Sequence, residues 1–188
     1  MASQKLILGL VGMPGSGKSV VVSVAKERNY DVVVMGDVVR GEAKNRGLEP
    51  SPENLGKIML ELREKEGDTV IAKRCISKIE RAKETKVIVD GIRSLKEAEE
   101  FRKHFPEFCL TAIHSSPETR FNRVYHRKRS DDPSNWKVFH ERDMRELSVG
   151  LGEALAMAEY LIINEERLDI VKERTRKILS KVEEKWMT

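Results

Sequence analysis

The sequence predicts an α/β protein in which helices cover both faces of a parallel sheet. Short apolar runs alternate along the chain with charged segments of helical period, which is the pattern of strands joined by crossover helices. A length of 188 residues suits one domain with a single core. A glycine-rich loop also follows the first apolar run directly. We therefore expect one three-layer α/β/α domain over residues 1–188.

The apolar runs give five predicted strands. They are Lys5–Val11, Asp31–Met35, Lys86–Asp90, Phe108–His114 and Tyr160–Ile163. Parallel strands need crossover connections of a dozen or more residues, and each of these connections is long enough. The sequence therefore predicts a five-stranded parallel sheet that is buried on both faces.

Between the strands, apolar residues recur every three or four positions, as they do in amphipathic helices. The last helix is the clearest case, with the stripe Leu168, Val171, Thr175, Ile178, Val182 and Trp186. Such stripes indicate core-facing surfaces rather than partner-binding grooves. A turn is predicted at Gly47–Pro52, and an exposed loop at Ser130–Asn135.

Composition argues against several classes of protein. The formal charge is +4 in a chain of which 35% is charged, a surplus that favours an anionic ligand without requiring nucleic acid. Cys75 and Cys109 lie far apart and away from histidines at ligand spacing, so neither a disulfide nor a zinc site is expected. The apolar run Leu6–Val11 is too short to span a membrane and no cleavage site follows it. We expect a soluble cytoplasmic protein.

The glycine loop matches the pattern G-x-x-x-x-G-K-[ST] between a predicted strand and a predicted helix. Its residues are Gly12, Met13, Pro14, Gly15, Ser16, Gly17, Lys18 and Ser19. Gly15 and Gly17 allow the backbone to turn its N–H groups inward around phosphate oxygens, next to the positive end of the helix dipole. Lys18 is expected to reach the β- and γ-phosphates, and the Ser19 hydroxyl to ligate Mg²⁺. The motif predicts ATP binding rather than an ordinary glycine turn.

An acid follows the third apolar run, where a parallel sheet presents its ligand crevice. Asp90 ends this run, and we interpret it as a second metal-side residue opposite Ser19. The competing interpretation is a cap on the helix that starts near Ser94. The sequence thus predicts Mg²⁺ and ATP as cofactors, with Ser19 and Asp90 on the metal.

Two arginines follow predicted strand ends and are candidates for a second substrate. Arg40 and Arg93 each carry a guanidinium that grips a phosphate bidentately, so together they would hold an acceptor beside ATP. Asp37 lies on the same side and is either part of that acceptor site or a helix N-cap.

A basic segment predicts a flap over the triphosphate. Its cations are Arg120, Arg123, Arg127, Lys128 and Arg129, with Arg142 and Arg145 further on. Arg120, Arg123 and Arg127 are spaced so that they share one face of a helix. Such a cluster of cations could stabilise the negative charge that develops during phosphoryl transfer. A solvated charged helix and an RNA-binding patch are the alternatives. The nearby aromatic residues are predicted to be too few and too scattered for base stacking; they are Phe121, Tyr125 and Trp136.

These motifs together resemble the nucleoside monophosphate kinase superfamily of P-loop NTPases, with dephospho-coenzyme A kinase as a cousin. The chain looks most like an archaeal adenylate-kinase-related family. The resemblance spans nearly the whole chain and is carried by GMPGSGKS, VVMGDVVR, VDGIRSLKEAEEF, RSDDP and AEYLIIN. It implies a short lid over about residues 123–142 and an acceptor-side helical segment over about 37–84.

The resemblance also implies roles for individual residues. Arg123 and Arg127 match the R-x-x-x-R at the lid entrance, which places one arginine against the adenine and the other near the phosphates. Arg129 matches the R-x-D-D lid motif, Arg142 the later catalytic arginine, and Asn164 the region that approaches the adenine. Lys18, Arg127, Arg129, Arg142 and Asp90 are thereby the expected catalytic residues.

The chain departs from adenylate kinases on the acceptor side. Met35 stands where those kinases have threonine, the segment from Asp90 to Arg93 lacks their proline, and Glu97 replaces a glutamine that reads the AMP base. The resemblance therefore implies ATP as donor without implying AMP as acceptor.

The expected function is a Mg²⁺-ATP-dependent kinase acting on a small, nucleotide-like acceptor. With a hydroxyl acceptor, as in dephospho-coenzyme A, Asp37 would be the base. The alternative class is an ATP-binding switch or slow ATPase that acts with a protein or RNA partner. No membrane partner is expected, nucleic acid is not favoured, and the oligomeric state stays open.

Overall fold

The five predicted strands form one sheet in the computed structural model, which describes residues 5–128 and 132–187. The strands are β1 Leu6–Val11, β2 Tyr30–Val34, β3 Lys86–Ile92, β4 Phe108–His114 and β5 Tyr160–Ile163. Their order across the sheet is β2-β3-β1-β4-β5, and each neighbouring pair is parallel. The predicted five-stranded parallel sheet is confirmed.

Helices connect the strands throughout the described residues. They are α1 Lys18–Lys26, α2 Gly36–Asn45, α3 Pro52–Glu66, α4 Val70–Glu80, α5 Leu95–His104, α6 Pro117–Arg127, α7 Trp136–Ser148, α8 Leu151–Ala156 and α9 Leu168–Met187. Several begin at side chains that accept a hydrogen bond from the N–H three residues on, namely Ser51, Ser94, Ser116 and Asn135. These caps satisfy N–H groups that have no partner within the helix.

The core lies on both faces of the sheet, because side chains alternate along each strand. On β1, Ile7 and Val11 pack into the cluster under α2 to α5, whereas Leu8 and Leu10 pack into the cluster under α1 and α9. The α9 stripe packs as predicted except at its first position, where Leu168 is exposed. None of the helices formed by residues 5–128 and 132–187 is both long and apolar enough to cross a membrane.

Strand β3 runs two residues beyond its predicted end at Asp90. The pairing with β1 shifts register there, so that Leu10 pairs with Asp90 and Val11 with Ile92. Gly91 absorbs the extra residue with a φ of +103°, which a glycine adopts without a Cβ clash. This bulge brings Asp90 and Arg93 to the carboxyl edge of the sheet, next to the glycine loop.

Candidate active site

The glycine loop joins β1 to α1 in a conformation that only glycine fits at two positions. Gly15 and Gly17 have φ values of +81° and +93°, in the left-handed region that glycine favours. A Cβ on Gly17 would lie 1.9 Å from Asn164 Nδ2. Helix α1 begins at Gly17 with no side-chain cap, so its N–H groups remain open to an anion.

Substitution of Gly17 by alanine is expected to weaken both the fold and nucleotide binding. The positive φ and the clash with Asn164 force the loop to move, at a cost of about 1–3 kcal/mol in the free energy of unfolding. Denaturant unfolding and titration with a fluorescent ATP analogue measure the two effects. Gly41→Ala in α2 is the matched control, because a Cβ there meets nothing within 4 Å and alanine stabilises a helix. Equal stability of the two variants would contradict the expectation.

Asn164 packs against the glycine loop and is absent from the wall of a cavity of about 500 Å³ that the loop lines. Its Nδ2 donates to the Ser16 carbonyl at 2.9 Å, and it is 5% exposed. The Ser115 hydroxyl donates to the Asn164 carbonyl at 2.7 Å, and Arg123 donates to the same carbonyl at 2.9 Å. Asn164 thus holds the glycine loop in place, whereas Arg123 also lines the cavity in front of the loop.

Lys18 lies folded against its own loop. Its Nζ donates to the Gly12 carbonyl at 2.7 Å. Burial lowers the pKa of this amine below the ordinary lysine value, while the nearby Asp90 carboxylate opposes that shift. A second anion in the cavity would favour the charged amine in the same way. The lysine is therefore placed to respond to phosphate oxygens.

Asp90 and Ser19 satisfy the chemical requirements of a Mg²⁺ site. Both residues line the same cavity, and Asp90 Oδ1 is buried with no hydrogen-bond partner among the described residues. Carboxylate and hydroxyl oxygens are ligands that Mg²⁺ prefers, and this ion takes few of its ligands from protein when it is shared with phosphates. The described residues contain no cluster of three or more His, Cys, Asp or Glu side chains that could hold a metal ion.

Arg93 and Arg40, the predicted acceptor residues, line the same cavity. Arg93 donates to Glu146 Oε1 at 2.7 Å, while its backbone N–H donates to Glu97 Oε2 at 2.9 Å. The other oxygen of Glu97 accepts from Arg63 at 2.6 Å, and Glu97 is fully buried. Glu97 therefore orients the chain at Arg93 and is not free to read a base.

Asp37 lies outside the wall of the cavity, in the first turn of α2. Its Oδ1 accepts from Arg40 Nε at 3.0 Å and from Arg40 Nη2 at 2.6 Å. Both side chains are about half exposed. The N-cap of α2 is Met35 and not Asp37. Asp37 thus orients Arg40 instead of capping the helix.

The predicted flap arginines divide between two environments. Arg123 and Arg127 of α6 and Arg142 of α7 line the cavity, and Arg127 pairs with Asp132 at 2.5 Å. Arg120 shares their helix but is buried, and donates to both oxygens of Asp143 at 2.9 and 2.6 Å. Arg129, together with residues 130 and 131, lies outside the described residues, so the lid is described only at its two ends.

The Arg120–Asp143 pair connects α6, α7 and the glycine loop. Arg120 Nη1 also donates to the Pro14 carbonyl at 3.2 Å, and the guanidinium carbon lies 4.9 Å from the centre of the Phe139 ring. The sequence shows these charges but not their pairing, because 23 residues separate them.

The aromatic residues of this region form one cluster, and the prediction that they are scattered is wrong. The Phe121 ring centre lies 5.6 Å from Tyr125, 5.2 Å from Trp136 and 5.4 Å from Phe139. Their distance along the chain hid this contact, which arises because the Phe121 ring of α6 meets the Trp136 and Phe139 rings of α7. Phe139 is buried, whereas Tyr125 and Trp136 are about half exposed.

Two adjoining cavities result. The larger has a volume of about 500 Å³ and runs from the glycine loop past Asp90 to the arginines of α6 and α7. The smaller, of about 60 Å³, lies between α2, α3 and α7. Four of the predicted site residues that the structure describes are absent from the wall of the larger cavity, namely Met13, Ser16, Asp37 and Asn164.

Comparisons with known proteins identify the family and the fold of this chain. A family model described as an AAA domain matches residues 11–140. The UPF0200 protein of Methanocaldococcus jannaschii is 48% identical over 94% of this chain and 90% of its own length. A shikimate kinase from Bacteroides thetaiotaomicron superposes with a TM-score of 0.61 at 15% identity, covering 93% of this chain and 98% of its own. A gluconokinase from Sinorhizobium meliloti gives 0.57 at 15% identity, over 98% and 97%. The fold is thus that of P-loop kinases.

Proposed function

We propose that this chain, which belongs to the UPF0200 family of archaeal P-loop proteins, is a Mg²⁺-ATP-dependent kinase that phosphorylates a small anionic acceptor. The observation that carries the proposal is the shared cavity. It brings Lys18 of the loop, Asp90 of the sheet and Arg93, Arg127 and Arg142 of three further segments around one volume. Cations from separate elements that meet at one point suit the charge of a transferring phosphoryl group.

Each group has a proposed part in the reaction. Lys18, Arg127, Arg129 and Arg142 stabilise charge on the transferring group, and Arg123 binds the nucleotide. Mg²⁺, when bound by Ser19 and Asp90, would neutralise phosphate charge. The named kinases of similar fold support a small-molecule acceptor by analogy alone.

The acceptor side holds the second substrate in line with the γ-phosphorus. We assign Arg40 and Arg93 to its anionic group, with Asp37 orienting Arg40. The bond from the γ-phosphorus to the oxygen of ADP breaks while the acceptor oxygen bonds to the same phosphorus. A phosphate acceptor is already anionic and needs no base. A hydroxyl acceptor must lose a proton. The base predicted for that case, Asp37, lies outside the cavity wall and pairs with Arg40, which favours an acceptor that is already anionic.

Transfer of labelled γ-phosphate tests the proposal. We expect a labelled product in a screen of nucleoside monophosphates, dephospho-coenzyme A and sugar phosphates. Arg93→Ala should raise the KM for the acceptor about ten- to hundredfold, because a charge-assisted contact is lost, with a smaller change in the KM for ATP. Arg102→Ala is the control and should leave both KM values unchanged. Arg102 lies on the surface of α5, pairs with Glu159 and does not line the cavity.

The same screen distinguishes the kinase from the second candidate function, an ATP-driven switch. The half-exposed Trp136 favours this candidate. Its ring packs against Phe121, so it connects the two helices that carry the cavity arginines and would transmit a movement of these helices to the surface. ATP consumption stimulated by a protein or RNA, with no phosphorylated small molecule, would support the switch and contradict the kinase.

A further inference from the structure

We propose that the smaller cavity binds an acceptor that carries both an anionic group and a hydroxyl, and that Glu146 recognises the hydroxyl. The inference rests on the proposed kinase function and specifies the class of its second substrate. It starts from a carboxylate that none of the sequence motifs includes, at the junction of the two cavities.

Glu146 lies on α7, one turn after Arg142, and lines both cavities. The residue is 5% exposed. Its Oε1 accepts a hydrogen bond from Arg93 at 2.7 Å. Its Oε2 is buried and has no hydrogen-bond partner among the described residues. A buried carboxylate oxygen without a donor is costly, so Oε2 marks the place for a donor on a bound molecule.

The charge around Glu146 selects the kind of molecule. Four arginines line the smaller cavity, and they are Arg40, Arg93, Arg142 and Arg145. Among the described residues, Arg93 pairs with Glu146 and Arg40 pairs with Asp37. Guanidinium groups gathered around one small volume favour an anion. They also repel an ammonium group, so the donor that suits Oε2 is a neutral hydroxyl.

The shape of the smaller cavity limits the size of the molecule. Its volume of about 60 Å³ is several times the roughly 10–15 Å³ that one water molecule requires. Val39, Leu55 and Met59 give it an apolar wall. This space suits a compact phosphate or carboxylate group and the hydroxyl-bearing carbon beside it. Small sugar phosphates and hydroxy acids are the class that fits.

Matched pairs of probes test the hydroxyl contact. Calorimetry with a non-hydrolysable ATP analogue and Mg²⁺ present compares 2-hydroxypropyl phosphate with propyl phosphate, and lactate with propionate. The wild type should bind the hydroxylated member of at least one pair at least about tenfold more tightly. The pair that shows this difference identifies the anionic group of the acceptor as a phosphate or a carboxylate.

Glu146→Met should bring the ratio of the two affinities, for the hydroxylated and the unhydroxylated member of the pair, to near one. A purely structural effect of the substitution would weaken both members of a pair equally and leave the ratio unchanged. Glu141→Met, at an exposed position of α7, is the control and should keep the wild-type ratio. Retained binding of the ATP analogue shows that each variant is folded.

If the wild type binds both members of each pair equally tightly, the inference is wrong, whatever the variants do. The inference is also wrong if Glu146→Met keeps the wild-type ratio of affinities. Transfer of labelled γ-phosphate separates these failures from failure of the kinase proposal. If a nucleoside monophosphate is phosphorylated but the hydroxylated and unhydroxylated probes bind equally tightly, the kinase proposal holds and the role of Glu146 is refuted. Discrimination without any phosphorylated product supports the binding site and refutes the kinase.

Discussion

Replacing Lys18 by alanine is expected to weaken binding of Mg²⁺-ATP about ten- to hundredfold. The half-buried amine, held at 2.7 Å from the Gly12 carbonyl, is placed to make charge-assisted hydrogen bonds to phosphate oxygens, and each such bond contributes about 1.5–3 kcal/mol. Titration with a fluorescent ATP analogue measures the loss.

Lys181→Ala is the control for Lys18, because Lys181 is exposed on α9 and lines none of the described cavities. This variant should bind ATP as the wild type does. Wild-type affinity in Lys18→Ala would mean that the glycine loop does not hold the triphosphate, and would remove the basis of both candidate functions.

Replacing Arg120 by methionine is expected to lower the free energy of unfolding by about 3–5 kcal/mol, because Asp143 would remain buried without its partner. Denaturant unfolding measures this effect. The double variant Arg120→Met with Asp143→Leu should recover much of the loss, since an apolar pair can replace a buried ion pair of similar volume. A loss in Arg120→Met that the second substitution does not reduce would argue against this origin.

An exposed ion pair provides the control for Arg120. Arg167 and Asp169 are 82% and 65% exposed and lie 3.2 Å apart. Such pairs contribute about 0–1 kcal/mol, so Arg167→Met should leave stability nearly unchanged. Arg120→Met should also weaken ATP binding, because the contact of Arg120 with the Pro14 carbonyl is lost, and Arg167→Met should not.

The sheet and the glycine loop were predictable because their signals are local. Phe108–His114 and Tyr160–Ile163 have the predicted bounds, since an apolar run between charged segments indicates a buried strand without reference to distant residues. The archaeal P-loop family was also predicted correctly. The extension of β3 to Ile92 was missed, because the bulge at Gly91 depends on pairing with β1.

The candidate site was only partly predictable. Ser19, Asp90 and Arg93 follow strand or loop signals and do line one cavity. Glu146 and the buried role of Arg120 follow no such signal, because both lie on charged helices whose orientation is not evident from their composition. Asn164 was predicted to approach the adenine, and the structure shows that its side chain donates a hydrogen bond to the Ser16 carbonyl of the glycine loop.

By itself, the sequence determined that this chain is a parallel α/β protein with a phosphate-binding loop, because periodicity and short-range spacing are properties of neighbouring residues. Tertiary structure alone decided which charges are paired and buried. Arg93 meets Glu146 across 53 residues and Arg63 meets Glu97 across 34. Whether a carboxylate supports a neighbour or faces a substrate depends on which side chains pack around it, and chain folding sets that packing.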